Sequence, residues 1–177
     1  MVSVTEQHKK GSEGQLTFAL VTISTSRFDS YGHVSDPDDA MDMSGRMMMD
    51  LVAESGHLVQ MYMLVDDDER HIRDAVMSGI DTGADIIVTS GGTGLAPADV
   101  TIESVRPMFD KEMPGFGELF RSISVDQIGS AVILTRAVAG VMGDHVVFCL
   151  PGSPGAVKTA LTAIILPEAG HIVKHVK

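Results

Sequence analysis

Thr89-Ser90-Gly91-Gly92-Thr93-Gly94 gathers more chemistry-bearing features than any other stretch of this chain. Glycines let the backbone adopt positive φ and come close to a ligand, while successive N–H groups and hydroxyls can face an anion. The same residues equally suit a tight turn that holds nothing. Two familiar phosphate loops are excluded: no Gly-Lys-Ser/Thr follows, and Pro97 stands where a dinucleotide fingerprint needs its third glycine.

Acidic and basic side chains lie at suggestive distances from this loop. Asp99, eight positions after Gly91, suits a helix N-cap or a catalytic or metal-binding carboxylate. A carboxylate beside a phosphate makes sense with Mg²⁺ between them, because like charges otherwise repel. The run Asp66-Asp67-Asp68-Glu69 suits a helix N-terminus through the macrodipole and equally a functional carboxylate. Glu118 and Arg121 are one helical turn apart; the arginine can pair with the glutamate or neutralise a substrate phosphate. Ser153, before Pro154, caps a helix whose first N–H groups can hold an anion.

Other clusters point away from metals. The seven histidines show no ligand spacing, and His171 and His175 sit near a C-terminus expected to be unanchored, so no tightly bound transition metal is expected. Asp36, Asp38 and Asp39 fail as a calcium loop, since the required glycine is missing and the twelfth position is Met47. The methionines at 41, 43, 47, 48 and 49 read as adaptable packing, in a core or at a subunit contact.

The elements that must position these residues follow from periodicity and punctuation. Strands are expected at Leu16 to Ile23, Leu58 to Val65, Asp85 to Thr89, Ala131 to Val141 and His145 to Leu150. Helices are expected from Asp42 to Glu54, from the acidic run to Gly83, from Asp99 to Phe109, from Gly117 to Ser124 and from Pro154 to Leu166. Ser24 to Asp39 reads as a long loop, and Met142-Gly143-Asp144 as a hairpin turn. This alternation, with strands apolar on both faces, predicts an α/β fold: a mainly parallel sheet covered by helices, with ligands at the strand carboxyl ends.

At 177 residues, 44% hydrophobic and 21% charged, the chain suits one domain, expected at 15–177 behind a flexible arm at 1–14. A net charge of -11 argues against nucleic acid as a partner, and forces any anionic ligand to rely on local backbone N–H groups, arginines or a metal ion. No consecutive apolar run approaches the roughly 20 residues that a bilayer requires, so membrane insertion is not expected. The one cysteine, Cys149, lies in an apolar run and forms no internal disulfide, which makes the cytoplasm the expected location.

A longer ordered set now becomes informative. Gly91-Gly92-Thr93-Gly94-Leu95-Ala96-Pro97-Ala98-Asp99-Val100-Thr101 is followed by Pro114-Gly115-Phe116-Gly117-Glu118, Arg121-Ser122-Ile123-Ser124, Arg136-Ala137-Val138-Ala139-Gly140 and Leu150-Pro151-Gly152-Ser153-Pro154. In this order the motifs resemble the MoaB/MogA family of molybdenum cofactor biosynthesis proteins, closer to MoaB, over Leu16 to Leu166. The resemblance implies a three-layer α/β/α molybdopterin-binding domain that forms trimers or hexamers and serves molybdenum or tungsten cofactor synthesis. It implies molybdopterin as substrate and adenylylation from Mg-ATP, or pterin binding without catalysis, with a MoeA-type metal-insertion protein as a possible partner.

By the same resemblance Asp67 and Asp99 are the catalytic and Mg²⁺-holding carboxylates, although Asp66 stands where relatives carry proline. Ser90, Gly91, Gly92, Thr93, Gly94, Thr101, Gly115, Gly117, Glu118, Arg121, Pro151, Gly152 and Ser153 are implied to bind substrate. Ser24, Ser26, Arg27, Asp42, Ser44 and Gly45 fall where relatives contact ligand or enter the first helix.

Overall fold

The computed structural model describes residues 14–177; the arm expected at 1–14 lies, apart from Gly14, outside the described residues. β1 (Thr17–Ile23) leads through α1 (Thr25–Tyr31), a 3₁₀ turn (Pro37–Ala40) and α2 (Met43–Glu54) to β2 (Leu58–Val65). Then come α3 (Glu69–Asp81), β3 (Ile86–Ser90), α4 (Thr101–Val105) with a 3₁₀ turn (Arg106–Met108), and β4 (Lys111–Glu112). α5 (Pro114–Ile128) and a 3₁₀ segment (Gly129–Leu134) precede β5 (Val138–Met142) and β6 (His145–Leu150). The chain ends in α6 (Pro154–Ala160) and α7 (Leu166–Val176), joined by a π-helical turn (Leu161–Ile165).

The strands form one six-stranded sheet in the order β2-β1-β3-β6-β5-β4. β2, β1, β3 and β6 run parallel, β5 pairs antiparallel with β6, and the short β4 pairs antiparallel with β5. Alternation along the strands sorts side chains to two faces. Phe18, Leu20, Leu64, Val88 and Phe148 pack with Met48 and Val52 of α2, Phe116 and Phe120 of α5, and Val157 and Val173 of the last helices. Ala19, Val21, Ile87, Val147 and Cys149 pack with Ile72 and Val76 of α3 and Ile102 and Val105 of α4. A sheet apolar on both faces must be covered on both, and three α/β/α layers result. Because β2 and β3 flank β1 on opposite sides, the strand order reverses there, and a crevice opens at the strand carboxyl ends.

Several elements differ from expectation for identifiable reasons. Ser24 caps a helical turn by accepting from Arg27 N–H, so α1 occupies part of the expected loop. Pro107 ends α4 far short of Phe109. α5 starts at Pro114 and ends at Gly129, whose φ is +57°. Residues 129–134 then wind as 3₁₀, where strand was expected from Ala131: Ile133 is 80% exposed, Val132 is half-buried, and among the described residues the segment has no neighbouring strand to pair with.

The C-terminus is anchored. Lys177 Nζ meets Asp85 Oδ1 at 2.6 Å, and His171 and His175 face each other on α7 with their Nε2 atoms 3.0 Å apart. Counting consecutive apolar residues also understated the last helix. Pro154–Val176 runs 23 residues and is long and apolar enough to cross a bilayer by length and composition alone. Val157, Ala160, Leu161, Ile165 and Ala169 of that helix are buried in the core.

Candidate functional site

The crevice is assembled from the ends of the four parallel strands. After β3, Gly91 and Gly92 take φ of +116° and +60°. The first is forced, because a Cβ there would strike the Ile23 carbonyl at the end of β1. Gly91 N–H donates to the Leu150 carbonyl at 3.0 Å, docking the loop on β6. Buried Thr101 holds it from the other side, its hydroxyl donating to Gly91 O at 2.9 Å and its N–H to Gly92 O at 3.0 Å. With both carbonyls occupied, the N–H groups of Gly92, Thr93 and Gly94 have no acceptor among the described residues. These three residues, with Pro151, Gly152 and Asp99, line a cleft of about 310 Å³.

Two carboxylates flank the loop. Asp67 Oδ2 accepts from Thr25 N–H at 3.0 Å and Thr25 Oγ1 at 2.8 Å, which holds the carboxylate against Gly92; a Cβ on that glycine would lie 2.8 Å from Asp67 Oδ1. Its neighbours are otherwise engaged. Asp68 caps α3, accepting from Arg70 and His71 N–H, and Asp66 Oδ1 lies 2.7 Å from His71 Nδ1. The geometry thus brings Asp67, rather than Asp66 or Asp68, to the loop.

Asp99 is not a helix N-cap: Val100 holds that position with no side-chain bond. The Asp99 carboxylate turns back instead, accepting from Ala96 N–H at 2.8 Å and lying beside Gly94. Among the described residues, Oδ1 of Asp67 and Oδ1 of Asp99 accept no hydrogen bond.

The cleft continues both ways. Through Gly152 it joins a depression of about 330 Å³ lined by Ser24, Arg27, Asp42, Ser44 and Ser90, among others. The buried Ser90 hydroxyl there has no hydrogen-bond partner among the described residues. Ser44 Oγ donates to Gly152 O at 2.8 Å, and Arg27 Nη1 donates to the carbonyls of Ala40 and Met41. Asp42, 3% exposed, accepts from Thr22 and Tyr62 hydroxyls and Ser44 N–H, so its charge is solvated by the protein itself. Gly45 packs behind it, where a Cβ would collide with Asp42 and the Tyr62 ring. Ser26 is exposed, within 3.4 Å of Ser24 Oγ.

Through Thr135 the cleft joins a larger pocket of about 430 Å³ with Gly117, Glu118 and Arg121 in its wall. Arg106 pairs with Glu112 and Arg136 with Glu103. Arg121 and Glu118, expected as a possible pair, form no ion pair with each other or elsewhere among the described residues. Gly117 permits this arrangement, since a Cβ would lie 2.7 Å from the Ala137 carbonyl and 3.1 Å from Arg121 Nη1. Gly115 is exposed in open space, and Ser153 caps α6 through Ala156 N–H at 3.3 Å.

Sequence reasoning missed Thr135, Leu134 and Glu103, and gave Arg136 no role beyond its motif. The expected strand from Ala131 to Val141 placed Arg136 inside an element, and only the observed start of β5 at Val138 frees it to reach the loop.

Loop amides without acceptors, flanking carboxylates and an Arg121 without an ion pair among the described residues mark the candidate site of an α/β domain whose glycine loop is neither P-loop nor dinucleotide type. The chain belongs to the molybdopterin-binding domain family: residues 19–171 match the family model described as probable molybdopterin binding domain. A Bacillus cereus protein named molybdenum cofactor biosynthesis protein B is 44% identical over 97% of this chain and 96% of its own length. A Pyrococcus furiosus protein named molybdopterin adenylyltransferase is 40% identical over 97% of this chain and 98% of its own. A crystal structure of a molybdenum cofactor biosynthesis protein B superposes with a TM-score of 0.83 at 42% identity, covering 92% of this chain and 96% of that one.

Proposed function

We propose that this protein acts in molybdenum or tungsten cofactor biosynthesis as a molybdopterin adenylyltransferase, using ATP. One observation carries the reading: three loop amides without acceptors lie between two carboxylates that each keep an oxygen without a hydrogen bond. Support comes also from the relative in Pyrococcus furiosus that bears this name.

In the reaction, a terminal phosphate oxygen of molybdopterin attacks the α-phosphorus of ATP, the α–β P–O bond breaks, and pyrophosphate leaves. Transfer of this kind needs alignment and charge neutralisation more than a covalent intermediate. The amides of Gly92, Thr93 and Gly94 bind phosphate oxygens, and Arg121 offers an uncompensated guanidinium in the adjoining pocket. Among the described residues around the loop no nucleophile, base and orienting group are hydrogen-bonded in series as in a hydrolase.

The donor set fits Mg²⁺ arriving with the nucleotide. That ion is commonly held by one or two carboxylates together with substrate phosphates and water. Among the described residues no three His, Cys, Asp or Glu side chains converge as a resident metal site would require. Asp67 and Asp99 would hold the ion, and bound Mg²⁺ would offset the charge of the triphosphate and departing pyrophosphate.

On the same reading the chain assembles as a trimer or hexamer and passes its product to a MoeA-type protein. Exposed Met41, Met43, Ile133 and Leu134 offer apolar surface for such contacts. The decisive experiment incubates purified protein with molybdopterin and Mg-ATP and follows adenylylated pterin by mass spectrometry together with pyrophosphate release. Product that falls at least about 100-fold in Asp67→Asn and Asp99→Asn is the expected result. Tight pterin binding without product would make the protein a carrier or scaffold instead.

A further inference from the structure

The glycine loop continues past Gly94 as an exposed turn, residues 95–98, that ends at Asp99. The turn closes on itself. Ala96 N–H donates to Asp99 Oδ2 at 2.8 Å, and Asp99 N–H donates to Ala96 O at 2.9 Å. Those bonds shape the turn but do not tie it to the domain. The tie comes from Arg136, just before β5. Its Nε donates to Thr93 O at 3.1 Å and its Nη2 to Asp99 O at 3.2 Å, so one guanidinium spans both ends of the turn.

The same guanidinium reaches Glu103 of α4 through Nη1 at 2.5 Å and Nη2 at 3.3 Å. That pair fixes the plane of the fork, and the arginine in turn holds the Glu103 carboxyl below its usual value. Serving two carbonyls and a carboxylate at once needs several donors in fixed directions, which guanidinium has and an ammonium lacks. Arg136 also differs from Arg121 in that Glu103 matches its charge, leaving less to offer a ligand.

We propose that Arg136 is a positioning residue for Asp99: by clamping the carbonyls of Thr93 and Asp99 it holds the turn, and the Asp99 carboxylate with it, beside Gly94 before any ligand arrives. The proposal rests on the functional reading of Asp99 given above and assigns Arg136 no contact with substrate. It separates two roles that arginines beside a phosphate site can fill. A neutralising arginine is largely replaced by lysine; a clamping one is not.

The test compares Arg136→Lys and Arg136→Gln with the unaltered full chain. NMR measures amide exchange in the ligand-free protein at Ala96 and Asp99, with the Thr101 amide, bonded to Gly92 O, as internal reference for the fold. Exchange at Ala96 and Asp99 is expected to quicken at least threefold relative to Thr101 in both variants.

With Mg-ATP and molybdopterin, kcat is expected to fall about 10- to 100-fold in both, with KM for ATP changing far less, as misplacement of an aligned group predicts. Adding Arg136→Lys to Asp99→Asn is expected to cost little more than Asp99→Asn alone. Unchanged exchange at Ala96 and Asp99 overturns the clamp, and so does an Arg136→Lys protein with full kcat. If the unaltered protein forms no adenylylated product, the functional reading falls while the exchange measurement still decides the clamp.

Discussion

At the scale of single residues, the site depends on where a side chain is absent as much as on where one is present. Gly91 lies at φ +116°, where L side chains are strained, and an added Cβ would strike the Ile23 carbonyl. Conformational strain of this kind costs about 1–3 kcal/mol before the collision is counted. Gly91→Ala is therefore expected to lower the unfolding free energy by at least that amount and to weaken nucleotide binding, as read by thermal denaturation with and without Mg-ATP. Cys149 shows the opposite situation: its buried thiol is pushed up to about 12, so it has packing to contribute but no thiolate chemistry.

At the scale of elements, helices are pinned to the site by buried polar networks. α2 begins at Asp42, whose carboxylate takes the Thr22 hydroxyl from β1, the Tyr62 hydroxyl from β2 and the Ser44 N–H of its own first turn. Ser44 then reaches the Gly152 carbonyl after β6. A helix start, two strands and a loop thus meet at one buried charge. Asp42→Ala removes the acceptor and leaves buried hydroxyls unpaired, a loss of about 1–3 kcal/mol for each group left without a partner. Chemical denaturation is expected to show Asp42→Ala well below Tyr62→Phe in stability, because the phenylalanine variant removes one donor and leaves the carboxylate its other partners.

At the scale of the whole molecule, the far end of the sheet closes the fold. Asp85 accepts from Thr17 N–H and hydroxyl at 2.8 Å each and from Lys177 Nζ, joining the start of β1, the start of β3 and the chain terminus. Burial alone would raise this carboxyl, but the bonds from Lys177 and Thr17 outweigh it and hold it below the usual carboxylate value. A carboxyl depressed in the folded state contributes stability that is present above the unfolded value, about 4, and is lost as pH falls through the lower folded value. Asp85→Asn is therefore expected to lower stability near neutral pH by about 1–3 kcal/mol and to flatten the acid limb of the stability–pH profile. An Asp85→Asn profile parallel to the unaltered one would show that the acid limb arises elsewhere.

The sequence by itself determined the four parallel strands with the main helices between them, a mainly parallel sheet covered on both faces, and the position of a glycine loop at the end of the third strand. Continuous apolar runs, glycine and proline act within a few residues of themselves, so they survive without knowledge of the rest of the chain. The apolar stretch 131–134 misled because strand propensity expresses itself only where a partner strand exists. Likewise Asp99 reads as a cap until the turn at 95–98 carries its carboxylate back towards Gly94. Only the tertiary structure decided which of three consecutive aspartates meets the loop, that Arg121 finds no ion pair among the described residues, and that Arg136 bonds to both ends of the turn. Each of these depends on segments far apart in the chain meeting at the carboxyl ends of four strands, and local spacing carries no record of that meeting.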